Sequence, residues 1–149
     1  MKKQLTLIAV ALVLSLTSIQ TVNAQTSVPT TVTEQFNTDH AKATNISWEE
    51  GNNWYKASFE SNGQYLSTFY GADGQEIAVT RNISSTMLPL TLQNNMQSYL
   101  KGGHWITDLF EMNVNGETHY FITFDDADEQ HILEAVNDSW SVYKRIRKG

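Results

Sequence analysis

Trp54-Tyr55-Lys56-Ala57-Ser58-Phe59 is the stretch of the chain from which the fold can be predicted. Its alternating side chains are typical of a β-strand whose two faces meet different surroundings. Turn-forming residues flank it, with Gly51-Asn52-Asn53 before it and Ser61-Asn62-Gly63 after it. The pattern returns in Tyr120-Phe121-Ile122-Thr123-Phe124, which starts 65 positions after Tyr55. This recurrence predicts two copies of one structural unit.

Residues 25–86 are predicted to form the first unit, with one helix and four strands. Val28, Val32 and Phe36 are spaced by four, which places them on one face of a helix that begins at Pro29 and ends near residues 40–42. Short turns then separate four predicted strands, at residues 45–50, 54–59, 64–70 and 75–81. Asp73-Gly74 is the tight turn before the last of them.

Residues 87–149 are predicted to repeat this unit. The apolar spacing of four recurs in Leu88, Leu92 and Met96. Lys101-Gly102-Gly103 ends the helix, because glycine adopts the left-handed cap readily. Four strands follow, at residues 104–114, 117–124, 129–136 and 139–147. The predicted fold class is α+β, with two tandem helix-plus-antiparallel-sheet repeats whose helices pack on one sheet face. The sequence leaves open whether the repeats share one continuous sheet.

The first 24 residues have the composition of a secretory signal peptide. Lys2-Lys3 supplies the basic start, an uncharged apolar run extends from Leu5 to Ile19, and Val22-Asn23-Ala24 provides a small-x-small cleavage site. A membrane anchor is the alternative, but the run is short and contains several Ser and Thr residues. We therefore expect export to the periplasm or the medium, with cleavage near Ala24 and no membrane span afterwards.

The composition indicates an acidic protein without disulfides. The whole chain has 10 basic and 16 acidic residues and a formal charge of −6, so removing Lys2 and Lys3 leaves 8 basic residues and a charge of −8. Such a charge disfavours nucleic acid as a partner. The chain has no Cys, so its stability must come from packing, for which 6 Phe, 6 Tyr and 4 Trp are available.

The two rounds of elements resemble a known family. Each round has a helix that begins at proline, then strands that include a tryptophan or a Tyr-x-x-x-Phe pattern, and then an Asp-Gly or Asn-Asp hairpin. Over about residues 28–148 this arrangement resembles the secreted bacterial PepSY-like proteins, also described as β-lactamase-inhibitor-like. The resemblance implies tandem helix-on-sheet units and a protein that binds rather than catalyses. PepSY modules have been proposed to restrain proteases, and the β-lactamase inhibitory protein blocks an enzyme with a sheet face and hairpin loops. That inhibitor has disulfides, which this chain lacks, and its contact residues have no match here.

No catalytic or cofactor-binding motif is found in the sequence. There is no Cys nucleophile, and no Ser lies in a Gly-x-Ser-x-Gly elbow. Gly102-Gly103 lacks the Lys-Ser/Thr pair of a phosphate-binding loop. We therefore predict that the protein is not an enzyme and has no cofactor.

The second repeat contains three histidines, His104, His119 and His131, which could bind a metal only if their side chains converge. Counting through the two hairpins sets His119 opposite Met112 and His131 opposite Ile122. His119 and His131 then point to opposite faces of the sheet, while His104 lies at its end. Because the three do not converge, no metal site is predicted.

Two charged segments have simple structural interpretations. Asp125-Asp126-Ala127-Asp128-Glu129 is predicted to be a solvated hairpin tip, with weak binding of a hard cation as the alternative. Lys144-Arg145-Ile146-Arg147-Lys148 is predicted to protect a sheet edge, with contact to an anionic surface as the alternative.

The sheet face away from the helices is the predicted binding surface. Alternation directs Tyr55, Ala57, Phe59, Tyr120, Ile122 and Phe124 toward the helices. The opposite face then mixes aromatic and polar side chains, as binding surfaces do. The predicted partner-binding residues are Trp54, Lys56, Leu66, Tyr70, Asp73, His119 and Phe121. The alternative is that loops or a second sheet cover this face.

These observations predict a secreted, non-enzymatic binding module. Its expected partner is a protein, such as an envelope enzyme that it recognises or inhibits. The alternative is a protein that binds a small ligand, a metal or a component of the cell envelope. The sequence does not name the partner or the oligomeric state.

Overall fold

A computed structural model describes residues 27–149, so the predicted signal peptide and its cleavage site lie outside the described residues. The helices are α1 (Thr30–Asp39) and α2 (Leu90–Lys101), with a short 3-10 turn at Ser85–Met87. The strands are β1 (Thr44–Gly51), β2 (Trp54–Ser61), β3 (Gln64–Tyr70), β4 (Glu76–Asn82), β5 (Trp105–Val114), β6 (Glu117–Asp125), β7 (Glu129–Val136) and β8 (Trp140–Arg147). Neither helix is long and apolar enough to cross a membrane.

All eight strands belong to one antiparallel sheet, and their spatial order is their order in the chain. The two halves meet where β4 pairs with β5, with Thr80 opposite Met112 and Asn82 opposite Phe110. This answers the question that the sequence left open, because the sheet is continuous across the predicted boundary at residues 86 and 87. The α+β class is confirmed, whereas an origin by tandem duplication stays a prediction.

Proline begins both helices. Pro29 and Pro89 precede the first helical residues, and each has an extended backbone. The predicted apolar spacing of the second helix includes Leu88, but the helix begins at Leu90. Leu88 explains the difference, since a residue before proline is held out of the helical region, and its ψ of 152° is extended.

Both helices pack on the same face of the sheet. Val32 and Phe36 of α1 are buried against Ala57, Phe59 and Tyr70. The second helix packs in the same way, with Leu92 and Met96 in a cluster that includes Ile122, Phe124 and Leu133. The strand residues predicted to face the helices therefore do so.

The other side of the sheet, called the open face below, has its own apolar cluster. Phe69 and Ala78 of the first half contact Phe110, Met112, Phe121 and Ile132 of the second. These side chains are between 0% and 4% exposed although neither helix covers them. Side chains of neighbouring strands therefore cover one another, and Trp54, Tyr143 and Ile146 pack against them. This apolar cluster contains side chains from both halves of the chain, so the two halves share a core on the open face.

Asparagine and glycine form the tightest hairpins. Asn62 and Gly63 have φ values of 53° and 74°, and Asn115 and Gly116 have values of 52° and 83°. Two successive positive φ values are the requirement of a type I′ turn, which matches the twist of the strands it joins. These turns fix the register of β2 with β3 and of β5 with β6.

Candidate functional site

One end of the open face holds a cleft with a volume of about 630 Å³. Most of the side chains that line it are neutral and polar, including Asn45, Ser58, Ser67, Thr80, Asn82 and Thr123. The apolar cluster fills the rest of the face, and Phe110 belongs to both regions. The open face therefore has a packed apolar part and a recessed polar part, and the polar part is the candidate binding site.

A row of four hydroxyl residues crosses this part of the sheet. Ser47 pairs with Ser58, Ser58 with Ser67, and Ser67 with Thr80, on four consecutive strands. The hydroxyls of Ser58 and Ser67 lie 3.0 Å apart, and Thr80 donates to the carbonyl of Ser67 at 3.4 Å. These side chains are short, so the row leaves open space above the sheet. The row also offers hydroxyl groups that can both donate and accept hydrogen bonds.

Tyr65 and Asn45 lie at the margin of the cleft. Tyr65 is 74% exposed, more than any other large hydrophobic residue of the described chain. Asn45 has a φ of 54° at an irregularity in the pairing of β1 with β2, and its amide donates to Glu60 at 3.1 Å. Strand irregularities of this kind redirect side chains and often occur beside functional sites.

Asp108 is the carboxylate of the cleft. Its Oδ1 accepts a hydrogen bond from the Asn82 amide at 3.0 Å. Burial raises the pKa of Asp108, although hydrogen bonds from the Leu109 backbone and the Asn82 side chain act in the opposite direction. Among the described residues that line the cleft there is no histidine or lysine. Arg81 is the other charged residue that lines the cleft, and the remaining polar groups are mainly hydroxyls and amides, which are suited to hydrogen bonding.

Four of the seven predicted binding residues lie on the open face, in two strands. Lys56 pairs with Phe69, and His119 pairs with Met112, which places both on this face together with Trp54 and Phe121. Phe121 is 0% exposed, so it supports the surface and cannot contact a partner in this state.

Two predicted binding residues lie on the wrong face. Leu66 and Tyr70 pack in the helix-side cluster, although Leu66 also borders the cleft. Tyr70 is fully buried, and its hydroxyl donates to Asp39 at 3.1 Å. The two-residue turn pairs Ser61 with Gln64, so even-numbered residues of β2 face the same way as odd-numbered residues of β3. Assigning both strands the same parity caused the error, and Tyr65 and Ser67 are the residues that face outward.

The remaining predicted side chains are already engaged within the protein. Lys56 Nζ lies 3.1 Å from Glu49, and Trp54 packs edge-on against Phe69 with ring centroids 5.6 Å apart. Asp73 is exposed at the β3–β4 hairpin, where its side chain accepts the backbone N–H of Gln75 at 3.0 Å. None of the three lines the cleft.

The three histidines do not converge, as predicted, but two of them meet an aspartate that the prediction did not consider. His119 and His131 do lie on opposite faces, since His119 pairs with Met112 on the open face and His131 pairs with Phe124 on the helix side. The register of β6 with β7 differs by two residues from the predicted one, which moves His131 to the sheet end. There it meets His104 and Asp126, and one ligand atom from each residue lies within 4.8 Å of the others.

The cleft itself was missed at the sequence level, although a signal existed. Each of the first four predicted strands has a serine or threonine on the open face: Ser47, Ser58, Ser67 and Thr80. The recurrence of one small hydroxyl residue in every strand was the signal. The strand register was needed to see that these hydroxyl residues are neighbours.

Comparisons with known proteins identify structures of similar fold but do not assign the chain to a family. The sequence matches no family model and no curated protein. The structure is similar to a DUF2874 family protein from Bacteroides ovatus, with a TM-score of 0.71, 18% identity, and coverage of 82% of this chain and 89% of that one. It is also similar to a BLIP-like protein from Bacteroides fragilis, with a TM-score of 0.71, 15% identity, and coverage of 84% and 92%.

A third similar structure is a protein of Bacteroides eggerthii for which a periplasmic location has been suggested. Its TM-score is 0.72 and its identity 12%, with coverage of 82% of this chain and 90% of that one. At such identities the likeness establishes the fold alone. It supports the β-lactamase-inhibitor-like part of the resemblance found in the sequence, whereas the PepSY part stays a prediction.

Proposed function

We propose that this protein is an exported, non-enzymatic binding module that recognises a protein partner through the polar cleft of its open face. The observation that carries the proposal is the cleft of about 630 Å³ with its floor of paired hydroxyls and the exposed ring of Tyr65 at its margin. A tyrosine that is free to contact a partner beside neutral hydrogen-bonding groups is the combination that protein interfaces favour.

The cleft is lined mainly by neutral groups, and its charged residues, Asp108 and Arg81, have opposite signs. This lining favours the polar backbone of a partner over an anion or a cation. Its hydroxyl and amide side chains can pair with the N–H and C=O groups of a partner's loop, as Ser58, Ser67 and Asn82 illustrate. The likeness to a BLIP-like protein is compatible with a binding role for the fold. Export is proposed from the predicted signal peptide and from the similar protein for which a periplasmic location has been suggested.

Truncating Tyr65 is expected to weaken partner binding at least tenfold. The change removes the most exposed aromatic ring at the cleft and leaves the buried core intact. The measurement is recovery of partners from a native envelope fraction by immobilised wild type and Tyr65→Ala, followed by a dissociation constant for the partner identified. Leu90→Ala is the matched control, because Leu90 is 70% exposed but lies on the second helix. Equal loss in both variants, or no loss in Tyr65→Ala, would contradict the proposal.

A second candidate, a small neutral polar ligand, is favoured by the hydroxyl row itself. Sugars and similar polyhydroxylated molecules exchange hydrogen bonds with such groups without needing charge. A ligand that binds only the folded protein raises its melting temperature. If this candidate is right, neutral cell-wall oligosaccharides are expected to raise the melting temperature of the wild type and not of Ser67→Trp, in which an indole fills the cleft. Absence of any shift at millimolar concentration would reject it.

A further inference from the structure

We propose that His104, Asp126 and His131 form a binding site for a divalent transition-metal ion of the Zn²⁺ class, at the opposite side of the sheet from the open face. One ligand atom from each residue lies within 4.8 Å of the others. His104 Nε2 is 3.0 Å from Asp126 Oδ2, and the two imidazole ring centroids are 5.4 Å apart. All three side chains are half-buried, so the ligand atoms are accessible but held in place.

Three separate elements bring the ligands together. His104 follows Gly103, whose φ of 84° ends the segment after α2 and turns the chain into β5. Asp126 lies in the turn between β6 and β7, and His131 lies in β7 itself. A metal ion at this point would therefore tie the end of α2 to the β6–β7 hairpin.

Hydrogen bonds outside the site orient the first two ligands. His104 Nδ1 lies 3.2 Å from the carbonyl oxygen of Tyr99, which can only accept, so Nδ1 carries the proton and Nε2 is the ligand atom. Asp126 Oδ1 accepts the backbone N–H groups of Asp128 and Glu129 at 2.8 and 2.7 Å, which leaves Oδ2 facing His104.

The third ligand has a carboxylate partner. Glu129 Oε2 lies 3.0 Å from His131 Nε2, and its Oε1 accepts from Arg147 at 3.2 Å. Metal-binding histidines commonly have an outer carboxylate or carbonyl of this kind, which fixes the orientation of the ring. The arrangement thus has both the ligands and the outer partners of a metal site.

The ligand types select the class of metal. Two imidazoles and one carboxylate suit Zn²⁺ and neighbouring transition metals, whereas Ca²⁺ and Mg²⁺ prefer oxygen ligands alone. Bond lengths of about 2.0–2.2 Å in a tetrahedron require ligand atoms roughly 3.3–3.5 Å apart. Separations of up to 4.8 Å would therefore shorten by at most about 1.5 Å on metal binding, whereas the 3.0 Å between His104 Nε2 and Asp126 Oδ2 would lengthen slightly. Three protein ligands leave a further position for water or for a group of a partner.

The test uses the untagged protein, from which a chelator has first removed bound metal. The protein is titrated separately with ZnCl₂, MgCl₂ and CaCl₂, and binding is measured by calorimetry and by thermal melting. One Zn²⁺ per chain is expected to bind and to raise the melting temperature, with no effect of Mg²⁺ or Ca²⁺. His104→Gln and His131→Gln are each expected to weaken Zn²⁺ binding more than about 100-fold, since loss of outer-shell partners alone costs 10–100-fold.

His119→Gln is the matched control. His119 is also half-buried and lies 2.9 Å from a glutamate, Glu134, but on the open face. This variant should bind Zn²⁺ as the wild type does. Melting curves without metal check that every variant is folded, and Asp126→Asn provides a variant of unchanged shape. Equal Zn²⁺ binding by all variants, or no saturable binding in the wild type, would overturn the proposal.

Discussion

Phe121→Ala is expected to lower the free energy of unfolding by about 3–5 kcal/mol, the range for removing a buried phenylalanine side chain. Phe121 is 0% exposed at the centre of the open face. Its ring stacks on Phe110 at a centroid distance of 5.1 Å and meets Tyr143 edge-on at 5.5 Å. Since small domains have total stabilities of about 5–15 kcal/mol, the variant should lose a large part of the stability of the protein.

Urea unfolding followed by circular dichroism measures this loss. Tyr65→Ala, on the same face but 74% exposed, is the control and should stay within about 0.5 kcal/mol of the wild type. A loss of less than about 1 kcal/mol for Phe121→Ala would show that the ring is not part of the core. The result also matters for function, because weaker partner binding by Phe121→Ala would then report partial unfolding and not a lost contact.

The secondary structure was largely predictable because turn-forming and helix-starting residues occur at the ends of its helices and strands. Pro29 and Pro89 precede both helices, and Asn-Gly pairs form two of the hairpins. The alternation in Trp54–Ser61 correctly identified the residues that face the helices, such as Ala57 and Phe59. Local chemistry is sufficient for these features, since each depends on neighbouring residues in the chain.

The candidate sites depended on distances between strands, which local patterns do not give. Tyr70 was assigned to the wrong face because a two-residue turn reverses parity between the strands that it joins. His131 was placed two residues from its true partner, Phe124, so its approach to His104 and Asp126 was missed. A strand can be predicted correctly while its register with the neighbouring strand is wrong. The side chain is then assigned to the wrong face or to the wrong position along the sheet.

The continuity of the sheet has a consequence for stability that the two-unit interpretation of the sequence does not anticipate. Two helix-side clusters, one under each helix, could in principle melt separately. The open-face cluster opposes this, because Phe69 and Ala78 of the first half are buried against Phe110 and Met112 of the second. Loss of either half would expose these side chains, so we expect the protein to unfold as one cooperative unit.

Phe36→Ala tests this expectation directly. Phe36 is 1% exposed and meets Phe59, Trp48 and Tyr70 edge-on, with ring centroids between 5.1 and 6.4 Å apart. Its removal should cost about 3–5 kcal/mol, by the same reasoning as for other buried phenylalanines. The loss should lower the stability of the whole chain, although the change lies in α1 alone.

The measurement is urea unfolding of Phe36→Ala followed both by tryptophan fluorescence and by circular dichroism. Cooperative unfolding predicts coincident single transitions and an unchanged dependence on urea, since the area exposed is the same. Leu92→Ala, which truncates the fully buried leucine of α2, is the matched variant from the other half and should behave in the same way. Two separated transitions in Phe36→Ala, the earlier one involving only part of the helical signal, would show instead that the halves are independent units. In that case the apolar cluster of the open face would be a contact surface between two domains and not one core.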